Sequence, residues 1–197
     1  MNRSLSALGL IATVAIVAPA FAAPTNNVRF GNTIVRLESG FLGAISSLGI
    51  ATSSVTPATV TTDVRGNVLA TFPISNGVID LGTGKAEISH LGGLRFAKGS
   101  TVAEITDFRI DSTVAQPVIT GLVTVNDSLV GRIPVFRLQG SVNYPLVPQN
   151  GFQLTVTGIE LSLTSEAASA LNSVFGVTDL AAGVPVGVAV TSTLVFE

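Results

Sequence analysis

Short runs of alternating apolar and β-branched residues follow one another from Val28 onward, separated by Gly, Pro, Asn and Asp. Such punctuation at intervals of about 8–12 residues is typical of an all-β sandwich or barrel. The sequence therefore predicts a mainly β fold, an antiparallel β-sandwich with one or two short helices. The predicted strands are Thr33–Glu38, Ala58–Val64, Asn67–Pro73, Val78–Leu81, Lys85–His90, Leu94–Ala97, Val102–Asp111, Val118–Asn126, Ile133–Leu138, Phe152–Leu163 and Val184–Phe196.

Glycines predict two local features of this strand pattern. Asn76-Gly77 is a dipeptide typical of a tight hairpin turn. Along Phe152–Leu163 the apolar residues change from one parity to the other, and Gly158 lies at the change. A glycine at such a position predicts a β-bulge, or a strand that bends between sheets.

Two segments have the three- and four-residue apolar spacing of a helix. Thr164 is a suitable N-cap for a helix that continues to Phe175, and Gly176 is placed to end it. The second segment, Ser39–Leu48, contains two glycines, each of which costs about 1 kcal/mol relative to Ala inside a helix. Both helices would bury one apolar stripe.

The amino terminus has the features of an export signal. A weakly basic start is followed by the apolar run Leu8–Val17, which is too short to span a bilayer core of about 30 Å. Small residues at Ala20 and Ala22 match a cleavage site, so residues 1–22 are predicted to be a signal peptide and 23–197 a single domain. The alternative is an uncleaved membrane anchor. We expect an exported protein, periplasmic, cell-surface or extracellular, with no transmembrane segment in the mature chain.

Composition narrows the classes of function. Hydrophobic residues make up 47% of the chain and charged residues 11%, which excludes a solvated disordered chain. The net charge of −2 gives no basic surface for nucleic acid. Residues 138–197 contain no Lys or Arg, but the strand pattern continues across this change, so we infer one domain. The absence of Cys excludes disulfides and thiolate metal sites.

No combination of residues typical of an enzyme is present. His90 is the only imidazole and has no nucleophile motif near it, and a zinc site needs three or four ligands. Phosphate-binding glycine motifs are also missing. Asp107, Arg109 and Asp111 would share one strand face, either as a calcium or acid–base site or as a solvated face that Arg109 neutralises. The second interpretation is favoured because no calcium-binding loop is present. We therefore predict no catalysis and no metal site.

The stretch around His90 is the most informative part of the chain. On a continuous strand Ile88, His90, Leu94 and Phe96 would line one apolar face, with Gly92 leaving space between them. An imidazole in such a place is either a hydrogen-bonded core residue or a group that contacts a ligand.

Five segments in order give the chain a resemblance to the HtaA domain of bacterial haem-uptake proteins. They cover nearly the whole predicted mature chain. They are Gly40-Phe41-Leu42-Gly43-Ala44, Thr71-Phe72-Pro73, Ser89-His90-Leu91-Gly92-Gly93-Leu94, Asp107-Phe108-Arg109-Ile110 and Leu163-Thr164-Ser165-Glu166-Ala167-Ala168. The resemblance implies an HtaA-like β domain of the cell envelope.

The resemblance also implies a ligand site with one departure. Haem-binding members of the family ligate iron through a tyrosine of the first segment, which the motif histidine supports. Ala44 stands at the matching position, and the only tyrosine, Tyr144, lies in a proline-rich loop. The candidate ligand-binding residues are His90, Phe41, Phe96, Gly92 and Gly93, where the glycines would let a flat ligand approach the backbone.

Two functions follow as expectations. The sequence favours a cell-envelope or extracellular module of structural or interaction type, without a cofactor, which contacts other envelope proteins or itself through a sheet edge. The alternative is a protein that binds haem or another hydrophobic small ligand.

Overall fold

The structure is a computed structural model that describes residues 25–140 and 142–197. The predicted signal peptide and its cleavage site lie outside the described residues. The elements in chain order are β1 (Asn26–Leu37), α1 (Ser39–Ser47), β2 (Ala51–Val55), β3 (Thr59–Thr62), β4 (Val68–Ile79), β5 (Ala86–His90), β6 (Gly93–Lys98), β7 (Thr101–Asp111), β8 (Val118–Val125), β9 (Ser128–Gln139), β10 (Gln153–Leu163), α2 (Ser165–Phe175) and β11 (Pro185–Phe196).

The strands form one sheet that closes on itself. Eight of them are paired antiparallel in the order β7-β5-β4-β1-β11-β10-β9-β8, and β8 pairs with β7 again to complete the ring. The prediction of a mainly β fold is confirmed, but the two-sheet sandwich is wrong. Inward- and outward-facing residues alternate in the same way along the strands of both architectures, so the alternation alone does not distinguish them.

A short interruption between β5 and β6 adds a second layer to one side of the barrel. β5 pairs with β4, but after His90 the chain leaves β4, and β6 pairs with β2 instead. At the interruption the Leu91 N–H donates to the Pro73 carbonyl (2.8 Å) and the Asp107 N–H donates to the Gly92 carbonyl (3.1 Å). β5 and β6 both pair with β7, so the barrel wall continues through the interruption. β2, which pairs with β6, and β3, which pairs with β4, lie on the outside of the ring at this place.

Both predicted helices are present. In α2 the Thr164 hydroxyl accepts a hydrogen bond from the Ala167 N–H, and Gly176 ends the helix with φ 60°. In α1 the buried residues are Phe41 and Ile45. Most helical stability in proteins comes from burying such a stripe, which is how α1 tolerates its two glycines.

The strands differ from the sequence prediction at Asn76-Gly77 and at β2, and agree with it at Gly158. The predicted turn at Asn76-Gly77 is wrong, because β4 runs straight through it and Gly77 pairs with Val28 and Ile88. A Cβ at Gly77 would lie 2.5 Å from the Glu87 carbonyl oxygen, so this glycine permits a close strand approach. The predicted bulge at Gly158 is confirmed by the register shift between Val156 and Ile159. β2 was not predicted.

The apolar side chains form two clusters inside the molecule. The larger one surrounds the helices, β2 and the adjoining barrel strands, and the smaller one lies towards the other end of the barrel around Val28, Ile88 and Leu154. A cavity lies between them. No helix among the described residues has the length and hydrophobicity needed to cross a membrane.

Candidate functional site

The barrel encloses a cavity of about 170 Å³ between its two apolar clusters. Its wall consists mainly of aliphatic side chains from β4, β5 and the five strands β7–β11, and none of the described residues that line it is charged. The apolar lining residues are Ile79, Ala86, Ile88, Ile110, Pro117, Ile119, Leu138, Val142, Leu146, Leu154, Val156, Ile159 and Ala189. Such a wall can hold an apolar molecule and discriminates against charged ones, because burying an unpaired charge is costly.

The loop between β9 and β10 covers one end of this cavity. Tyr144 and Leu146 line the cavity from this loop, and the Leu146 N–H donates to the Leu81 carbonyl (2.7 Å). The Tyr144 ring lies against Gly84, where a Cβ would be only 2.1 Å from the nearest ring carbon. Ser112 holds the Gly84 segment by donating to the Gly84 carbonyl (2.8 Å). Tyr144 is half exposed, so it stands at the edge of the cavity.

Three threonines provide the polar part of the wall. Thr33 on β1 and Thr191 and Thr193 on β11 all line the cavity. The Thr33 and Thr191 hydroxyls are 2.9 Å apart, and the Thr193 hydroxyl donates to the Phe30 carbonyl (2.8 Å). Thr33 and Thr193 are buried. A ligand in the cavity would therefore meet one polar strip in an apolar surface.

His90 reaches the cavity only through Thr33. Its Nε2 atom is 2.8 Å from the Thr33 hydroxyl and its Nδ1 atom is 3.3 Å from the Phe108 carbonyl oxygen. Because a carbonyl only accepts, Nδ1 carries the proton of the neutral ring and Nε2 accepts from the Thr33 hydroxyl. Burial lowers the pKa of His90 to about 4, so the ring is neutral at physiological pH.

The lowered pKa of His90 predicts that acid destabilises the protein. Its pKa is about 4 in the folded chain and 6.5 in the unfolded chain, so between these values only the unfolded chain takes up the proton. The free energy of unfolding should therefore fall by roughly 3 kcal/mol as the pH decreases from 6.5 to 4. Urea unfolding across this range measures the effect. His90→Gln, which does not titrate, should lose this part of the pH dependence; an unchanged profile would refute the assignment.

The structure does not bring the five predicted ligand-binding residues into one site. Phe41 and Phe96 are buried in the larger apolar cluster, and neither lines the cavity. A Cβ at Gly92 would lie 2.3 Å from the Ala58 nitrogen, and one at Gly93 would lie 2.2 Å from the Ile105 carbonyl oxygen. The space beside both glycines is therefore occupied by the backbone of the chain itself.

These residues do not fit haem in the way that the resemblance implied. Ala44 lies on the exposed face of α1 and carries no atom that ligates iron. His90 is 2% exposed, and both of its nitrogens already have hydrogen-bond partners. Within residues 25–140 and 142–197, no group of three or more His, Asp or Glu side chains could hold a metal ion.

The acidic group on β7 is a solvated surface. Asp107 and Arg109 are exposed, and a register shift between Thr106 and Arg109 interrupts the strand alternation there. Asp107 forms an ion pair with Arg132, whereas Arg109 lies 3.8 Å from Glu87. The prediction that Arg109 neutralises Asp107 and Asp111 on its own strand is therefore wrong, because its observed partner is Glu87 on β5.

Sequence reasoning missed the cavity and its threonines. A weak signal was present in β11, where Thr191 and Thr193 occupy inward positions between the buried residues Ala189 and Val195. Threonine is common in strands for its β-branched shape, so this pattern does not by itself indicate a site. No sequence signal placed Tyr144 over the cavity.

Comparisons with known proteins identify the fold. No protein-family model matches the chain, and no curated protein matches it by sequence. Among solved structures, the C-terminal domain of HtaA from Corynebacterium glutamicum aligns with a TM-score of 0.63 at 15% identity, covering 86% of this chain and 99% of that domain. The heme binding protein HtaB from the same organism aligns with a TM-score of 0.55 at 8% identity, covering 87% and 95%. A domain-swapped dimer of a histidine-to-alanine variant of the HtaA C-terminal domain aligns with a TM-score of 0.53 at 16% identity, covering 79% of this chain and 90% of that one. The chain therefore has an HtaA-like fold.

Proposed function

We propose that this chain, which has an HtaA-like fold, is an exported binding module without catalytic activity that holds an uncharged, apolar small molecule inside its barrel. The cavity is the observation that carries the proposal. The predicted signal peptide supports export. The sequence alone favours an interaction role over ligand binding, and the cavity is the reason to reverse that order.

The dimensions of the cavity limit the ligand to about one ring or a short alkyl chain. Drug-sized ligands use pockets of roughly 300–1,000 Å³, whereas an apolar cavity of about 150 Å³ holds benzene. At about 170 Å³ this cavity belongs to the second class. The apolar wall would contribute most of the affinity, since burial of apolar surface stabilises a complex by about 25 cal/mol per Å² before the costs of association.

The proposal assigns no catalytic step to the cavity. Among the lining residues that the structure describes, none is an Asp, Glu, His, Lys or Arg that could act as an acid, base or nucleophile. His90, which contacts the lining residue Thr33, is neutral and engaged on both nitrogens. Binding without chemistry is the function that this arrangement supports.

Titration with toluene tests the proposal, because toluene is uncharged and matches the cavity in size. The purified protein should give saturable chemical-shift changes in the methyl groups that line the cavity. Val156→Phe, which puts a larger side chain into the cavity from β10, should abolish them. Val190→Phe is the matched control, because Val190 lies between the lining residues Ala189 and Thr191 and so faces outward. Equal toluene binding by both variants would refute the site.

Haem is a second candidate, favoured by the HtaA-like fold and by the description of HtaB as a heme binding protein. Since Ala44 supplies no iron ligand, we expect no saturable Soret band when haem is added to the unchanged chain. Ala44→Tyr should create such a band, because a phenolate on α1 restores the ligand that the resemblance implied. Ala44→Phe is the control for the added ring. Saturable haem binding by the unchanged chain would instead support the second candidate.

An interaction role through a sheet edge is compatible with ligand binding. β2 pairs only with β6, and β3 only with β4, so each strand keeps one edge unpaired in the part of the chain that the structure describes. Unpaired edges are where another strand can be added. The domain-swapped dimer among the similar structures makes self-association a reasonable first test. Sedimentation of the purified protein over a range of concentrations measures it.

A further inference from the structure

We infer that the cavity selects a small neutral ligand carrying one hydrogen-bond donor, such as a phenol or a short alcohol, because its polar strip presents only acceptors. This inference rests on the proposed function and concerns the chemistry of the ligand in that same cavity. It follows from the directions of the hydrogen bonds that connect His90 with the threonines.

The donor and acceptor roles in this series of hydrogen bonds are fixed at its buried end, where His90 contacts Phe108. The Phe108 carbonyl accepts from His90 Nδ1, so Nε2 has no proton and accepts from the Thr33 hydroxyl, which lies 2.8 Å away. The hydrogen of Thr33 is thereby used. In the contact of 2.9 Å between Thr33 and Thr191, Thr191 must then be the donor.

The threonine hydroxyls consequently have no hydrogen left for a ligand. Thr191 donates to Thr33, and Thr193 donates to the Phe30 carbonyl at 2.8 Å. Each hydroxyl oxygen has two acceptor lone pairs, and those of Thr191 and Thr193 are not all used by these contacts. The polar strip of the cavity therefore accepts hydrogen bonds from a ligand and donates none.

Other polar groups of the lining do not alter this conclusion. The Ser112 hydroxyl donates to the Gly84 carbonyl (2.8 Å) and accepts from the Ala86 N–H (2.8 Å), so its hydrogen is used and it too has none to donate to a ligand. Gln139 and Tyr144 line the cavity, but both are exposed and can satisfy their donors with water. The buried part of the wall thus favours a molecule that brings its own O–H or N–H.

A bound donor gains a hydrogen bond that an acceptor-only molecule cannot make. A net hydrogen bond in a folded protein corresponds to a difference in affinity of about three- to tenfold. Phenol, toluene and anisole have similar sizes and share one ring, but only phenol carries a donor, while anisole offers an oxygen that only accepts. We therefore expect phenol to bind about three- to tenfold more tightly than either of the others, after correction for their transfer free energies from water.

Titration of the purified protein with phenol, toluene and anisole, followed by NMR, tests the inference. Thr191→Val should weaken the preference for phenol and strengthen toluene binding, because it replaces one of the accepting hydroxyls by a methyl group of similar shape. Thr155→Val is the matched control: Thr155 is exposed and near Ser192 (3.4 Å), so the preference should remain.

The possible failures are distinguishable. If none of the three compounds binds, the proposed function is wrong. If toluene and phenol bind equally, or anisole equals phenol, the cavity is a binding site but the inference about its acceptors is wrong. This comparison on the unchanged chain does not depend on the folding of any variant.

Discussion

Gly93→Ala is expected to destabilise the protein strongly, because the added methyl group would meet the backbone of the neighbouring strand β7. Gly93 pairs with Thr106, and a Cβ at this position would lie 2.2 Å from the Ile105 carbonyl oxygen and 2.8 Å from the Thr106 Cα atom. Overpacking a core usually costs about 1–3 kcal/mol, and here the cost should exceed that range because the obstructing atoms are backbone atoms of a paired strand. Urea unfolding followed by circular dichroism measures the change.

Gly43→Ala is the matched control for this glycine substitution. Gly43 lies on the exposed face of α1, and nothing lies within 4 Å of the position that its Cβ would take. Alanine is a better helix former than glycine by about 1 kcal/mol, so this variant should be slightly more stable than the unchanged chain. If Gly93→Ala proved as harmless as Gly43→Ala, the close approach of β6 and β7 would be wrong.

Phe108→Ala is expected to have the second large effect, a destabilisation of about 3–5 kcal/mol. Phe108 is 4% exposed, and its ring centroid lies 5.2 Å from that of Phe72 and 6.1 Å from that of Phe136. Gly121 makes room for the ring, since a Cβ there would lie 3.1 Å from a Phe108 ring carbon. Truncation would leave a cavity bordered by several strands that cannot all move to fill it. Thermal and urea unfolding would measure the loss.

Phe30→Ala is the comparison for Phe108→Ala. Phe30 is 66% exposed, so its removal should change the free energy of unfolding by no more than about 0.5 kcal/mol. Similar losses from both truncations would mean that Phe108 does not occupy the core.

The sequence was sufficient for most elements and insufficient for their arrangement. Thr164 and Gly176 delimit α2 by local chemistry, a cap and a left-handed residue, so α2 could be predicted within a residue. Asn76-Gly77 misled for the opposite reason: the same dipeptide that favours a turn also allows a close approach between long strands, and the neighbouring strands decide which occurs. Closure of the ring depends on the pairing of β1 with β11, two strands at opposite ends of the described chain, which no local pattern encodes.

The candidate site was less predictable than the fold. The sequence showed that His90 lies on an apolar face, and it is buried as expected for that face. Its partner Thr33 is 57 residues away, and the loop that carries Tyr144 reaches the cavity from yet another part of the chain. A pair of glycines indicates that something approaches closely, but not whether a ligand or the chain's own backbone does so. At Gly92 and Gly93 it is the backbone.

The pairing of β1 with β11 also determines the order in which the protein can fold. The first described strand lies beside the last one, with Asn27 opposite Phe196, so this ladder joins residues almost the full length of the domain apart. Local hairpins such as β8–β9 have short loops and can form early, whereas ladders between distant segments form slowly because loop closure must come first. Until Pro185–Phe196 has left the ribosome, β1 and β10 each lack one of their two neighbouring strands. Closure of the ring is therefore a late event of folding.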